Sequence, residues 1–171
     1  HGTLPNVIVQ YNDFYEHYPI IPPSPAGGIT LVYIGKGLRG RLLEKLDKPG
    51  SELGVSVHVF SLGALLPKEL NGAHWHFGSD SYESELLSLV RSQRCLMWCC
   101  NETFCLSYIH GLSNKFFQAL AVGSPIIAMR GTYQALLVEE YGLGAVYFGN
   151  DDLDRILVLA DGPEFAVWCA N

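Results

Sequence analysis

Apolar residues along this chain fall into short continuous or alternating runs, and segments of helical period lie between them. Ile29 to Ile34 reads I-T-L-V-Y-I, with the length and branched side chains of a buried strand. Val55, Val57 and Val59 alternate with Ser56, His58 and Phe60, a strand signature of period two. Ala73 to Phe77 alternates in the same way, with Trp75 and Phe77 on one face and His74 and His76 on the other. Cys95 to Cys100 is a continuous apolar run and predicts a central strand. Ile126–Met129 and Ala145–Phe148 complete the set.

The intervening segments predict helices. One follows the turn Gly35-Lys36-Gly37-Leu38-Arg39-Gly40-Arg41 and runs to about Leu46; Ala64–Leu70 is a short second one. Tyr82–Gln93 is amphipathic, with Leu86, Leu87, Leu89 and Val90 inward and Asp80 or Ser81 as N-cap. Ser113 is the N-cap expected for a helix whose apolar side is Phe116, Phe117, Leu120 and Ala121. Gly123 sits at its left-handed C-cap, and Pro125 cannot continue it. Tyr133–Tyr141 is the next helix, stopped by Gly142 and Gly144. Asp151 or Asp152 then caps a helix carrying Leu153, Ile156 and Leu157, and the chain closes in another helix. Strands alternating with helices predict a doubly wound α/β domain: a parallel sheet of about six strands with helices on both faces, Rossmann-like. That domain spans 29–171. Residues 1–28, rich in proline and aromatics, read as an extended lead-in with a short strand at Val7–Gln10.

The 171 residues are 49 % hydrophobic and 16 % charged, which excludes a disordered chain. No apolar run approaches the roughly 18 residues of a membrane span, and no basic stretch followed by an apolar one opens the chain as a signal peptide would. A net charge of −6 argues against nucleic acid as a partner, so any bound anion must be held by local groups. Five cysteines, Cys95, Cys99, Cys100, Cys105 and Cys169, are an odd number set largely in apolar sequence. They read as reduced thiols of a cytosolic protein; their spacing is not that of a zinc site.

Ligands of doubly wound sheets bind at the carboxyl ends of the strands, where the loops after Ile34, after Cys100 and after Phe104–Ile109 fall. Two stretches there suit an anion. The glycine turn after the first strand carries Lys36, Arg39 and Arg41, though it is neither a complete dinucleotide fingerprint nor a P-loop. The loop from His110 to Ser113 feeds a helix whose first turn carries Lys115. A cation in that turn opposes the helix dipole, a physical reason to expect an anion beside it. His74 and His76 have metal-ligand spacing, but without an evident third ligand they read as the half-wet face of an edge strand.

The order of these segments, and above all N-K-F-F-Q-A-L-A-V-G-S-P-I-I-A over Asn114–Ala128, resembles the C-terminal, donor-binding domain of GT-B glycosyltransferases. Within them it is most similar to the retaining "group 1" family. The resemblance covers about Ile29 to Ala160 and implies one half of a two-domain enzyme. Such an enzyme transfers a sugar from a UDP-, GDP- or ADP-sugar to an acceptor hydroxyl in polysaccharide or glycoconjugate biosynthesis, with no cofactor and no metal. It further implies donor phosphate contacts by Lys36, Arg39, Arg41, Gly111, Asn114 and Lys115. Ribose or base contacts fall to Gln118 and Glu102, and His110 takes the catalytic position. The family often has two glutamates where this chain has His110 and Gln118, a departure that leaves open a non-catalytic binding module, and the shared architecture leaves open a nucleotide-sugar epimerase. The acceptor would be bound by an N-terminal domain absent from these residues, through which the protein could associate peripherally with the cytoplasmic membrane face. The isolated chain is expected to bind donor without transferring it.

Overall fold

The computed structural model describes residues 27–35, 54–61, 74–77, 82–99 and 106–171. Strands β1 (Ile29–Gly35), β2 (Val55–Ser61) and β3 (His74–Phe77) lead to helix α1 (Tyr82–Ser92) and strand β4 (Arg94–Cys99). A short helix α2 (Leu106–His110) precedes α3 (Asn114–Val122) and β5 (Ile126–Met129). The chain continues through α4 (Tyr133–Tyr141), β6 (Gly144–Tyr147), α5 (Asn150–Asp161) and α6 (Glu164–Ala170).

The strands form a six-stranded sheet in the order β3-β2-β1-β4-β5-β6, and every neighbouring pair is parallel. This is the doubly wound α/β fold that the alternation predicts. The chain steps outward from β1 to β3, returns to the far side of β1 as β4, then steps outward again to β6. Helices cover both faces. Leu31, Val57, Val59, Leu96, Trp98 and Ile127 pack on one face against Leu153, Ile156, Leu157 and Ala160 of α5 and Phe165 of α6. Val32, Ile34, Phe60, Met97, Ile126 and Ala128 pack on the other, against Leu86 and Val90 of α1, Phe116, Ala119 and Val122 of α3, and Ala135 and Val138 of α4. Two-sided burial is why β1 and β4 read as continuous apolar runs.

Several local expectations are corrected. The buried stripe of α3 is Lys115, Phe116, Ala119 and Val122, whereas Leu120 is exposed. Residues three and four apart share a helix face, and the helix is rotated to put small Ala119 against the sheet. Leu106–His110, read as an approach to a sheet-edge loop, is a helical turn. Asp152 is not an N-cap: α5 begins after Gly149, and the Asp152 carboxylate accepts from the backbone N–H of Phe148 at 2.8 Å and of Gly149 at 3.1 Å. Those bonds, the one from Phe148 foremost, hold its carboxyl below the usual range.

Strand β6 starts one residue earlier than its apolar run suggests. Gly144 has φ 151°, and a Cβ there would lie 2.1 Å from the Ile126 carbonyl oxygen. A residue that looks like a helix stop is the point where two strands come closest. Phe148, expected in the strand, is exposed beyond it. The lead-in at 1–26, the helices expected to about Leu46 and at Ala64–Leu70, and the cap at Asp80 or Ser81 lie outside the described residues. Among the described residues no helix is long and apolar enough to cross a membrane.

Candidate functional site

β1 and β4 are neighbours, and from them the chain continues to opposite sides of the sheet; in doubly wound sheets ligands bind at such a point, beyond the carboxyl ends of the strands. Helix α3 begins at that edge. Its N-cap residue Ser113 has the extended backbone of a cap, φ −80° and ψ 154°, yet its side chain makes no cap hydrogen bond. The Ser113 hydroxyl donates instead to Gln134 Oε1 at 3.1 Å. The Gln134 amide Nε2 donates to the Gly111 carbonyl at 3.3 Å. Gln134 is only 3 % exposed, in the first turn of α4. That turn is fixed by Thr132, whose Oγ1 accepts from the Ala135 N–H at 3.2 Å and donates to the Met129 carbonyl at 2.7 Å.

Lys115, in the first turn of α3, is 8 % exposed. Its Nζ lies 4.3 Å from the centre of the Tyr33 ring near the end of β1. Tyr33 packs with the opposite face of the sheet from α3, so the ammonium reaches across the strand end. Gly35 makes room for that ring: a Cβ there would lie 3.0 Å from the Tyr33 hydroxyl and 3.2 Å from ring carbons. Cys99, the last residue of β4, completes the group. Burial pushes its thiol up to about 12, while the Lys115 charge and a hydrogen bond with Ser113 pull the other way. The first turn of a helix already carries partial positive charge, so a largely desolvated ammonium beside it concentrates positive potential at the carboxyl edge. The arrangement suits an anion.

The other expected site residues distribute around this centre. Gly111 is half-buried, its carbonyl held by Gln134. Asn114 opens α3 and is exposed; Gln118 lies one turn further along and is half-buried. His110 ends α2 and is exposed. Lys36, Arg39, Arg41 and Glu102 lie outside the described residues. Gln134 escaped the sequence reading. Its signal is a polar side chain one helical turn (i, i+4) before Val138, on the buried side of the helix.

A second constellation lies beside β2 and β3. His58 Nδ1 is 2.9 Å from His76 Nε2, and His76 Nδ1 is 2.6 Å from Glu85 Oε2 on α1. The carboxylate accepts, so His76 Nδ1 carries a proton; in a neutral ring its Nε2 then accepts, and His58 Nδ1 donates. The His58 and His74 rings stack at 4.6 Å. Burial, then His74 and His76, lower the His58 pKa to about 4. The half-wet edge expected at β3 therefore contains an ordered hydrogen-bond chain. Among the described residues no group of three or more His, Cys, Asp or Glu is arranged to hold a metal ion. Cys95, Cys99 and Cys169 are free thiols.

The parallel sheet wound in two directions from β1 and β4 defines a Rossmann-like α/β domain. Among solved structures the chain is similar to the glycosyltransferase SnogD from Streptomyces nogalater, at 16 % identity and a TM-score of 0.51. The match covers 98 % of this chain and 42 % of that one, so the chain spans less than half the length of this neighbour. At that identity the likeness is one of fold. No family model matches the chain, and no curated protein matches it.

Proposed function

We propose that the carboxyl edge at β1 and β4 binds the diphosphate of a nucleotide-sugar, and that the chain is the donor-binding part of a glycosyltransferase acting in polysaccharide or glycoconjugate biosynthesis. The observation that carries this is Lys115, a buried ammonium in the first turn of a helix at the point where the sheet reverses its winding. The fold likeness to a glycosyltransferase supports it.

In this reading the bond from the anomeric carbon to the diphosphate oxygen breaks, the leaving nucleoside diphosphate takes the electron pair, and the acceptor hydroxyl oxygen bonds the anomeric carbon as its proton passes to the departing diphosphate. Backbone N–H groups at the start of α3, together with Lys115, stabilise that charge as it develops. Lys36, Arg39 and Arg41 add cations from the glycine turn, and Gly111 and Asn114 line the approach. Gln118 hydrogen-bonds the ribose diol through its amide, with Glu102 beside the ribose or base. His110 faces the sugar, and no metal or cofactor is required. The acceptor belongs to a further portion of the protein, which would also make any contact with the cytoplasmic membrane face.

Titration calorimetry against UDP-, GDP- and ADP-sugars tests this. Binding of one of them is expected, with little or no transfer by the 171 residues alone. Failure of every donor to bind overturns the reading; turnover by the chain alone overturns the division of labour. A non-catalytic nucleotide-sugar-binding module is the second reading, favoured by His110 and Gln118 standing where the resembled family carries acids. Binding without turnover in a longer protein that includes the acceptor-binding portion selects it. Epimerised nucleotide-sugar in NMR of that protein's products would instead select an epimerase.

A further inference from the structure

Strand β3 is four residues long and, among the described residues, stands at the end of the sheet with β2 as its strand partner. The register sets His74 against His58 and His76 against Phe60, so these four side chains share the face that α1 covers. His58 and His76 meet at 2.9 Å, and Glu85 of α1 holds the other nitrogen of His76 at 2.6 Å. The His76 ring also stacks on the buried Phe60 ring at 4.2 Å, and His74 stacks on His58 at 4.6 Å. On the same face β1 contributes Val32 and Ile34, and α1 contributes Leu86 and Val90 besides Glu85. Among the described residues the titratable groups set against His58 are His74 and His76 of β3, with Glu85 of α1 behind His76.

This cluster accommodates one added proton and not two. With neutral rings, His58 Nδ1–H donates to His76 Nε2, and His76 Nδ1–H donates to Glu85. One added proton makes His76 a cation beside the carboxylate. Its Nε2–H then donates to His58 Nδ1, with the His58 proton moved to Nε2, and both hydrogen bonds survive. A second proton, on His58, leaves two N–H donors facing each other across 2.9 Å, in cationic rings whose centres are 5.2 Å apart. That hydrogen bond is lost and the like charges repel. Burial, and then His74 and His76, accordingly lower the His58 pKa to about 4.

We propose that the His58–His76–Glu85 chain is an acid-released latch on the edge of the sheet: it holds β3 to β2 and α1, and a second proton in the cluster frees β3 while the central strands stay paired. The central strands β1, β4 and β5 lie between two packed faces, whereas an edge strand of four residues opens locally at least cost. The freed His58 takes up its proton at the ordinary value of 6.5, so the hold is complete above that pH and is lost as pH falls through about 4. Because every strand of this parallel sheet ends at the carboxyl edge, acidity then decides whether the outer part of that edge is formed.

Amide hydrogen exchange read by NMR on the 171-residue chain, corrected for the intrinsic effect of pH on exchange, tests this. From neutral pH to pH 4, protection of the His74–Phe77 amides is expected to fall at least about tenfold further than that of the β1 and β5 amides. Equal losses in all strands, or no loss in β3, overturn the proposal. His58→Asn offers an amide N–H near the position of Nδ1 but takes up no proton, so β3 is expected to stay protected down to that pH. Loss of protection at the same pH as in the native chain overturns the latch. Glu85→Gln keeps an acceptor for His76 but not the charge that balances the first proton. Release is then expected at higher pH, and an unmoved midpoint overturns the proposal. If His58→Asn does not fold, or leaves β3 unprotected at neutral pH, Glu85→Gln decides.

Discussion

The Lys115 ammonium lies 4.3 Å from the centre of the Tyr33 ring, so α3 and β1 meet through a buried cation at the carboxyl edge of the sheet. In the function proposed above, that ammonium holds the donor diphosphate through charge-assisted hydrogen bonds. Lys115→Met is therefore expected to cost about 1–3 kcal/mol of nucleotide affinity, roughly 5- to 150-fold. It should leave the fold intact, because a thioether suits the buried site better than a charge does. Calorimetry reads the affinity and urea unfolding the stability; an unchanged affinity removes Lys115 from the site. Tyr33→Leu should weaken the fold by about 1 kcal/mol through the lost cation–π contact while leaving the charge in place.

His58 makes stability depend on pH. Its pKa is about 6.5 in the unfolded chain and about 4 in the fold, lowered by burial and then by His74 and His76. Between those values the unfolded state holds the extra proton, so the contribution is complete above pH 6.5 and is lost as pH falls through 4. Urea midpoints measured at neutral pH and across that acid window should fall more steeply for the native chain than for His58→Phe. Parallel profiles would show that His58 does not titrate in this way.

Thr30 is wholly buried in β1, and its hydroxyl has no hydrogen-bond partner among the described residues. An unsatisfied buried hydroxyl costs more than the methyl that replaces it. Thr30→Val should raise stability by about 1 kcal/mol in urea unfolding. A lower midpoint would mean that the hydroxyl is satisfied in solution.

Gly144 opens β6 at φ 151° with no space for a side chain beside Ile126. Gly144→Ala forces apart two paired strands and strains the backbone, so a loss of about 3 kcal/mol or more is expected. Thermal unfolding measures it. A melting temperature within a degree or two of the native one would show that β5 and β6 separate easily at that point.

Much of the fold was legible because secondary structure follows from local patterns. Helix α4 occupies Tyr133–Tyr141 and stops at Gly142 as expected, and Gly123 caps α3 in the left-handed conformation, as its place in the sequence suggests. The errors fall where a partner element decides. Gly144 resembles a turn residue until Ile126 lies against it, and Leu120 looks buried until the rotation of α3 on the sheet is known. The sheet order is likewise a result of packing.

The candidate site divides in the same way. Lys115 at a helix start was visible in the chain as a cation in the wrong place for the dipole. Its burial over Tyr33 was not, because the two residues belong to elements that only the winding of the sheet brings together. The hydrogen bond from Ser113 to Gln134 and the His58–His76–Glu85 chain are decided at the same level. Hydrophobic periodicity is a local property, and from the sequence alone it separated strands from helices over most of the described segments, Leu106–His110 excepted. Which buried polar groups face one another depends on contacts distant in sequence, and those exist only once the two halves of the sheet have closed around β1 and β4.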